Sequence, residues 1–229
     1  MTKFSCVMLV SRCNELFFNS IKSVHRQEPD SFKAYIDSHA LGDKTDIVCS
    51  IVEKYGGEPI IQHYNPEEKD HHVDMVHTHH RAFLEAEHPI IVQIDDDDEL
   101  LGTRREILDE YWGDDVGIIY GDVLTLQDGR APRIRKSKQI DSHLEVSNIK
   151  GSSRIINREA FKHIHDKLDH GYWLDFKIYY WIMRLGYKAV YVPQLFSVHN
   201  MNTDINPERV HARQTGWQYE LELLEKQSL

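Results

Sequence analysis

The chain has 229 residues, 41% of them hydrophobic and 28% charged, and its formal net charge is −10 at pH 7. This length and composition suit one medium-sized globular domain with a substantial core, and the acidic balance argues against a surface that binds nucleic acid by bulk electrostatics. The apolar runs are far shorter than the roughly 20 residues of a membrane helix, and the N-terminus lacks the layout of a signal peptide, so we expect a cytoplasmic protein with no transmembrane segment.

Cysteine usage agrees with that expectation. Cys6, Cys13 and Cys49 show no CxxC spacing, and one of them stays unpaired under any disulfide scheme. Such a pattern fits a reducing compartment better than a secreted protein. We expect idle thiols and no disulfide framework.

The first half of the chain alternates short apolar runs with amphipathic patterns. The apolar runs predict strands at 3–10, 32–37, 58–64 and 89–94, and helical patterns fill the segments between them. Strands that alternate with helices at this spacing form βαβ units and a mainly parallel sheet. The predicted fold class is therefore α/β.

The second half has a different pattern. It predicts a helix at 105–112, a strand from 117 that turns at Asp128 and Gly129, a helix ended by Gly186, and a strand at 188–193 closed by Pro193. The polar last thirty residues end in a predicted helix.

Four consecutive aspartates, Asp95 to Asp98, directly follow the fourth predicted strand. In open α/β sheets ligands bind beyond the carboxyl ends of the strands, where this run lies. Adjacent carboxylates are easiest to keep ionised when a divalent cation neutralises them. Oxygen ligands suit Mg²⁺ or Mn²⁺, which also take phosphate oxygens from substrates. The run therefore predicts a metal–diphosphate site, with a solvated acidic turn as the alternative.

Two other local patterns stand out. The stretch HHVDMVHTHH, residues 71–80, holds five histidines, but it lacks HExxH and only His77 and His80 share a helical face closely, so it does not favour catalytic zinc. The segment 130–138 carries five positive charges in an acidic chain. It is either a solvated basic loop or a phosphate-binding segment, and the candidate phosphate-binding residues are Arg133, Arg135 and Lys136.

Five segments, in order, resemble the inverting, GT-A fold glycosyltransferases of family 2. "VMLVSRCNE" stands where the family has a Pro-Thr-Tyr-Asn-Glu-like segment, "IDSHALGDKT" where it has an acidic nucleoside loop, and "DDDD" where it has Asp-x-Asp-Asp. "LDFKIYYWIMRLGYKAVYVP" places Asp175 eleven residues before Gly186, as in the family, and His199 of "FSVHN" stands where some members bind a metal. The resemblance covers roughly residues 4–200.

The resemblance implies a particular architecture. We expect a single Rossmann-like, three-layer GT-A domain at 1–200, with a mainly parallel mixed sheet. Residues 1–98 would form the nucleotide-sugar-binding half and 99–200 the acceptor-binding half. A C-terminal extension with a helical tail, 201–229, would follow and can form an oligomer contact.

The resemblance also implies a reaction. A hexosyl or pentosyl group would pass from a nucleotide diphosphate sugar, with UDP expected, to an acceptor hydroxyl, and Asp175 would be the general base. Asp97 and His199 would hold Mn²⁺ or Mg²⁺, and Trp173 and Tyr172 would contact the acceptor. The expected donor-binding residues are Ser11, Arg12, Asn14, Glu15, Asp37, Asp95 and Asp96. The ligand pair within the run stays open, because Asp96 and Asp98 have the same spacing as Asp95 and Asp97.

Other functions are less consistent with the motifs. No GxGxxG follows a strand, as a Rossmann dehydrogenase requires, and "VSRCNE" lacks the glycine of a nucleotidyltransferase loop. Ser11 and Leu174 depart from the family pattern, as do His80 and Ala82, which stand where the family usually has Asn and Gly. These departures leave open a non-catalytic nucleotide-sugar or glycan-binding module on the same fold. The basic segment leaves open a polyanionic acceptor, such as modified nucleic acid or a phosphate-bearing glycan.

Overall fold

The structure, a computed structural model, describes residues 2–62, 71–127, 129–149, 153–168, 174–201, 221–222 and 224–226, with backbone alone for 71–76. Within these ranges nine strands form one sheet. The strands are β1 Phe4–Val10, β2 Ser31–Asp37, β3 Glu58–Gln62, β4 Ile90–Asp95, β5 Glu99–Leu100, β6 Val116–Gln127, β7 Arg133–Arg135, β8 Arg154–Asn157 and β9 Lys188–Met201.

Helices connect these strands and cover both faces of the sheet. They are α1 Glu15–His25, α2 Ser38–Leu41, α3 Thr45–Lys54, α4 His71–Leu84, α5 Arg104–Tyr111, α6 Arg158–Lys162 and α7 Leu174–Arg184, with 3₁₀ turns at Gly42–Lys44, His143–Asn148 and His165–Lys167. The segment after β2, expected as a loop, forms the short helix α2 and a 3₁₀ turn instead. Its start is fixed locally, because the Asp37 carboxylate accepts a hydrogen bond from the Ala40 amide at 2.8 Å.

The sheet order is β3-β2-β1-β4-β8-β6-β9-β5, and β7 pairs with β6. The first four strands in this order are parallel neighbours, as the βαβ pattern predicts. β8 runs antiparallel between β4 and β6, so β4 and β6 point the same way. The predicted α/β fold with a mixed, mainly parallel sheet is confirmed.

Alternate residues of the central strands enter two separate hydrophobic cores. On β4, Ile91 packs in one cluster with Phe83 of α4 and Ile178 of α7. Its neighbour Val92 lies in the other cluster, with Phe17 of α1. Successive side chains of a strand point to opposite faces, so an apolar run buried on both faces produces the three layers.

The β6–β9 ribbon contains the main departure from the sequence prediction. Gly121 pairs with Val192, but the next residue, Asp122, pairs with Leu195, which leaves Pro193 and Gln194 outside the ladder. The prediction that Pro193 closes the strand is therefore wrong. A bulge accommodates a proline that has no amide hydrogen to donate, and the strand continues to Met201.

Beyond this bulge the sheet curls towards the end of β4. β5 follows β4 after only three residues, yet it pairs with β9 on the far edge of the sheet, Glu99 opposite Val198. So short a connection requires the distal part of β9 to lie over the carboxyl end of β4. The curl thus brings the last residues of β9 to the aspartate run.

A buried arginine holds the curled region together. The Arg104 side chain donates to the carbonyl oxygens of Leu101 at 2.7 Å and Phe196 at 2.5 Å, and its guanidinium lies 3.9 Å from the centre of the Phe196 ring. Burial lowers the pKa of Arg104 to about 9. These bonds attach α5 to the distal part of β9.

The described part of the C-terminal extension packs on the domain. Leu224 is buried, and Glu225 accepts a hydrogen bond from the Tyr180 hydroxyl of α7. The oligomer contact, the domain boundaries and the cytoplasmic location stay predictions. No helix among the described residues is long and apolar enough to cross a membrane.

Gly121 should tolerate no side chain, because a Cβ there would lie 2.9 Å from the Gln194 carbonyl oxygen and 2.9 Å from Phe196 Cβ. We expect Gly121→Ala to lower the free energy of unfolding by about 1–3 kcal/mol, measured by urea denaturation. Gly113→Ala is the control, because its Cβ would meet nothing closer than 3.4 Å. Equal stability of the two variants would contradict a close approach at the bulge.

Candidate functional site

The aspartate run forms a tight turn at the carboxyl end of β4, with the Asp98 amide donating to the Asp95 carbonyl at 3.2 Å. Asp96 and Asp98 are buried, with 3% and 0% of their surface exposed. A buried carboxylate is stable only with hydrogen bonds or an opposite charge. The run is therefore explained by the partners of each carboxylate.

Asp96 is surrounded by the loop between β1 and α1. Its Oδ2 accepts from the Ser11 amide at 2.6 Å, the Ser11 hydroxyl at 3.2 Å and the Arg12 amide at 3.0 Å. Arg12 Nε lies 3.0 Å from its other oxygen. Burial raises the pKa of Asp96 to about 6, against the opposing effect of Arg12 and these hydrogen bonds.

Asp97 shares the same guanidinium. Arg12 Nη1 lies 2.6 Å from Asp97 Oδ2, so one arginine spans two adjacent carboxylates. Burial raises the pKa of Asp97, and Arg12 opposes that rise. Two residues predicted to bind the donor, Arg12 and Asp96, are thus in contact with each other.

Asp98 pairs with the end of β9. His199 Nδ1 lies 2.9 Å and 3.1 Å from the two Asp98 oxygens, and the Asn200 amide donates to Oδ1 at 3.2 Å. Burial lowers the pKa of His199, but the hydrogen bond and the charge of Asp98, with Asp95 and Asp97, outweigh it and raise the pKa overall. The curl of the sheet brings His199 of β9 next to Asp98.

Asp175 lies in the first turn of α7, and 41% of its side chain is exposed. Its Oδ1 is 2.5 Å from Nη2 of Arg154, whose side chain is fully buried, and Arg154 Nη1 donates to the Tyr179 hydroxyl at 3.0 Å. Burial raises the pKa of Asp175, but Arg154 outweighs it, and with smaller effects of His79 and His199 the pKa is lowered. Asp175 is thus ionised, fixed on one side and open on the other.

A buried polar cluster that contains His79 and Gln93 lies next to Asp95. The His79 ring of α4 contacts Gln93 Nε2 at 3.2 Å, and the same nitrogen is 3.5 Å from Asp95 Oδ1. Gln93 is opposite Arg154 in the β4–β8 register. Sequence reasoning missed Arg154 and Gln93, since a single polar residue in a strand gives no distinctive signal, and it emphasised His77 and His80 rather than His79.

Three other residues that were predicted to bind the donor lie at the starts of helices. They are Asn14, Glu15 and Asp37. The Asn14 side chain accepts from the Phe17 amide at 3.2 Å and caps α1, where Glu15 is the first residue. Asp37 caps α2. Their contacts with a donor stay predictions.

The remaining predicted residues lie on or next to β7 or outside the described residues. Arg133 and Arg135 of β7 and the following Lys136 are exposed to solvent. Trp173 and Tyr172 lie outside the described residues.

The expected metal pair is not assembled. Asp97 contacts Arg12 and His199 contacts Asp98, so the two predicted ligands have different partners. Among the described residues, no group of three or more His, Cys, Asp or Glu side chains is arranged to hold a metal ion. This arrangement does not fit the expected Mn²⁺ or Mg²⁺, which stays a prediction.

Comparisons with known proteins identify the fold. No protein-family model and no curated protein matches the sequence. The structure of S. aureus TarS 1–349 in complex with UDP has a TM-score of 0.62 and 12% identity, over 88% of this chain and 61% of that one. The structure of S. aureus TarS 1–349 has a TM-score of 0.60 and 11% identity, over 87% of this chain and 60% of that one. The structure of the bifunctional IspDF from Campylobacter jejuni has a TM-score of 0.50 and 12% identity, over 84% of this chain and 50% of that one.

This chain therefore spans less than two thirds of the length of these structures. At such low identity the likeness shows the fold alone. The chain therefore shares the fold of these structures, and its membership of family 2 and its activity stay predictions.

His199 should stabilise the fold in a pH-dependent way. Because its folded pKa is raised above 6.5, its charged pair with Asp98 contributes fully below the unfolded pKa and is lost as pH rises through the folded pKa. We expect His199→Gln to lower the free energy of unfolding by about 1–3 kcal/mol below pH about 6.5. The cost should shrink at higher pH in urea denaturation. A cost that is constant or grows with pH would contradict the pair.

Proposed function

We propose that the chain is a glycosyltransferase that moves a hexosyl or pentosyl group from a UDP-sugar to an acceptor hydroxyl, with inversion at the anomeric carbon. One observation carries the proposal. A half-exposed carboxylate, Asp175, held by the buried Arg154, lies at the carboxyl end of a GT-A-like sheet, within electrostatic reach of His199 beside the aspartate run. The UDP bound to TarS 1–349 supports the choice of nucleotide.

In this proposal Asp175 is the general base. The acceptor oxygen would bond to the anomeric carbon while the bond from that carbon to the diphosphate breaks, and the hydroxyl proton would pass to Asp175. Because Arg154 lowers the pKa of Asp175, the carboxylate is ionised at neutral pH. Its exposed side leaves room for an acceptor.

The departing diphosphate requires positive charge near the aspartate run. Arg12 is the charged partner of Asp96 and Asp97, and 29% of its side chain is exposed. His199, with a raised pKa, lies on the other side of the run. The expected Mn²⁺ or Mg²⁺ on Asp97 and His199 stays a prediction, because these two side chains have different partners.

Asp175→Asn should reduce sugar transfer by about 10²-fold or more, because it removes the group that accepts the proton. Binding of UDP should be retained, as shown by an increase in melting temperature. The readout is UDP release from a panel of UDP-sugars. Asp114→Asn, an exposed change, is the matched control.

Three outcomes separate the alternatives. Full activity of Asp175→Asn would contradict its role as base. UDP binding with no release from any donor by the wild-type protein would favour a non-catalytic nucleotide-sugar-binding module. No binding of any nucleotide sugar would contradict the proposal as a whole.

We propose further that the acceptor carries phosphate or another repeated negative charge, as in a phosphate-bearing glycan or a nucleic acid. Five exposed cations lie on or beside β7, and their side chains form no ion pair with any described residue. They are Arg130, Arg133, Arg135, Lys136 and Lys138. In an acidic chain, such a set favours a polyanionic ligand.

The register links this basic edge to the site. Thr125 of β6 is the partner of Arg133 on one side and of His199 on the other. Neighbouring strands are about 4.8 Å apart, so the two backbones are separated by about 10 Å. A polymer bound along β7 would pass close to the aspartate run.

The double variant Arg133→Gln and Arg135→Gln should raise the KM for a phosphate-bearing acceptor by about tenfold per lost contact. The kcat should change little, and the wild-type KM should rise with salt. Lys3→Gln with Lys54→Gln, two exposed cations elsewhere, is the charge-matched control. Equal KM values for the two double variants, or a KM independent of salt, would contradict a polyanionic acceptor.

A further inference from the structure

The Arg154 guanidinium contacts two side chains of α7. Its Nη2 is 2.5 Å from Asp175 Oδ1, and its Nη1 donates to the Tyr179 hydroxyl at 3.0 Å. Asp175 and Tyr179 are one helical turn apart, so they lie on the same face of α7. One arginine therefore attaches this face of the helix to strand β8.

Arg154 and Tyr179 are buried, whereas Asp175 reaches solvent. The side chain of Arg154 is 0% exposed and Tyr179 is 1% exposed, but 41% of the Asp175 side chain is exposed. A buried guanidinium is costly to leave without partners, and its planar fork binds acceptors in a fixed geometry. The arginine is therefore held in one place, and it fixes the Asp175 oxygen that it contacts.

We propose that Arg154 and Tyr179 are positioning residues for Asp175, which hold its Oδ1 so that Oδ2 meets the acceptor hydroxyl. This inference rests on the proposed function, in which Asp175 is the base. The proton would pass from the acceptor oxygen to Oδ2 while that oxygen bonds to the anomeric carbon and the diphosphate leaves with the bonding electrons. Arg154 contacts none of the reacting atoms and acts through Asp175.

The charge of Arg154 has a second effect, on the pH at which the base is ionised. The groups that face Asp175 are Arg154 of β8, Tyr179 of α7, His79 of α4 and His199 of β9. Burial raises the pKa of Asp175, and Arg154, followed by the two histidines, outweighs it. Removal of Arg154 should therefore raise the pKa of Asp175 and move the acidic limb of the pH–rate profile to higher pH.

The test compares Arg154→Met and Tyr179→Phe with the wild-type protein, using the UDP-sugar of the panel from which the wild-type protein releases UDP. Arg154→Met should lower kcat by about tenfold or more, with the donor KM unchanged and the acidic limb at higher pH. Tyr179→Phe keeps the arginine charge and loses one hydrogen bond. It should lower kcat by about two- to tenfold and leave the acidic limb in place.

Arg105→Met is the control, because Arg105 pairs with Asp30 away from the site. It should leave kcat and the pH profile unchanged. Circular dichroism checks that each variant is folded, and Tyr179→Phe decides alone if Arg154→Met does not fold. A folded Arg154→Met with the wild-type kcat and acidic limb, or an unchanged kcat of Tyr179→Phe, would overturn the inference and leave sugar transfer by the wild-type protein intact.

A second measurement needs no turnover. An NMR titration that follows the Asp175 carboxyl carbon should give a higher pKa in Arg154→Met than in the wild-type protein. Equal pKa values would overturn the inference. A raised pKa in a protein that transfers no sugar would support the arginine contact and contradict the proposed function alone.

Discussion

The bend of the β6–β9 ribbon is the constraint on which the rest of the site depends. A pairing shift between Gly121 and Asp122 takes Pro193 out of the ladder and lets the strand continue in a new direction. Beyond this bend, His199 Nδ1 lies 2.9 Å from Asp98 Oδ1. The buried Arg104 fastens the curled part through backbone carbonyls rather than through a carboxylate, so the region is held without using any charge of the site.

The site is built by pairing its carboxylates with positively charged side chains. Arg12 contacts both Asp96 and Asp97, His199 contacts Asp98, and on the opposite side of the site Arg154 contacts Asp175. Adjacent carboxylates that would otherwise repel one another are thereby kept in a single turn. The same pairing leaves cations close to the place where a diphosphate would carry its charge, which connects the stability of the fold to the proposed chemistry.

Much of the fold could be predicted from periodicity. The parallel strands β1 to β4, their helices and α7 follow from apolar spacing, and the position of the aspartate run follows from its place after β4. The continuation past Pro193 could not, because a bulge is fixed by tertiary packing. Spacing also could not decide which carboxylate meets which cation: consecutive aspartates point in different directions within one turn, and His199 contacts Asp98 rather than Asp97. Arg154 gives no local signal, because its importance comes only from the distant Asp175.

The stereochemistry of the product tests the central claim most directly. With an α-linked UDP-sugar, an acceptor hydroxyl and the wild-type protein, the anomeric proton of the product can be followed by NMR. The account predicts a β-linked product, because Asp175 would activate an acceptor that attacks opposite the departing diphosphate. An α-linked product, or no transfer from any UDP-sugar that the protein binds, would contradict it.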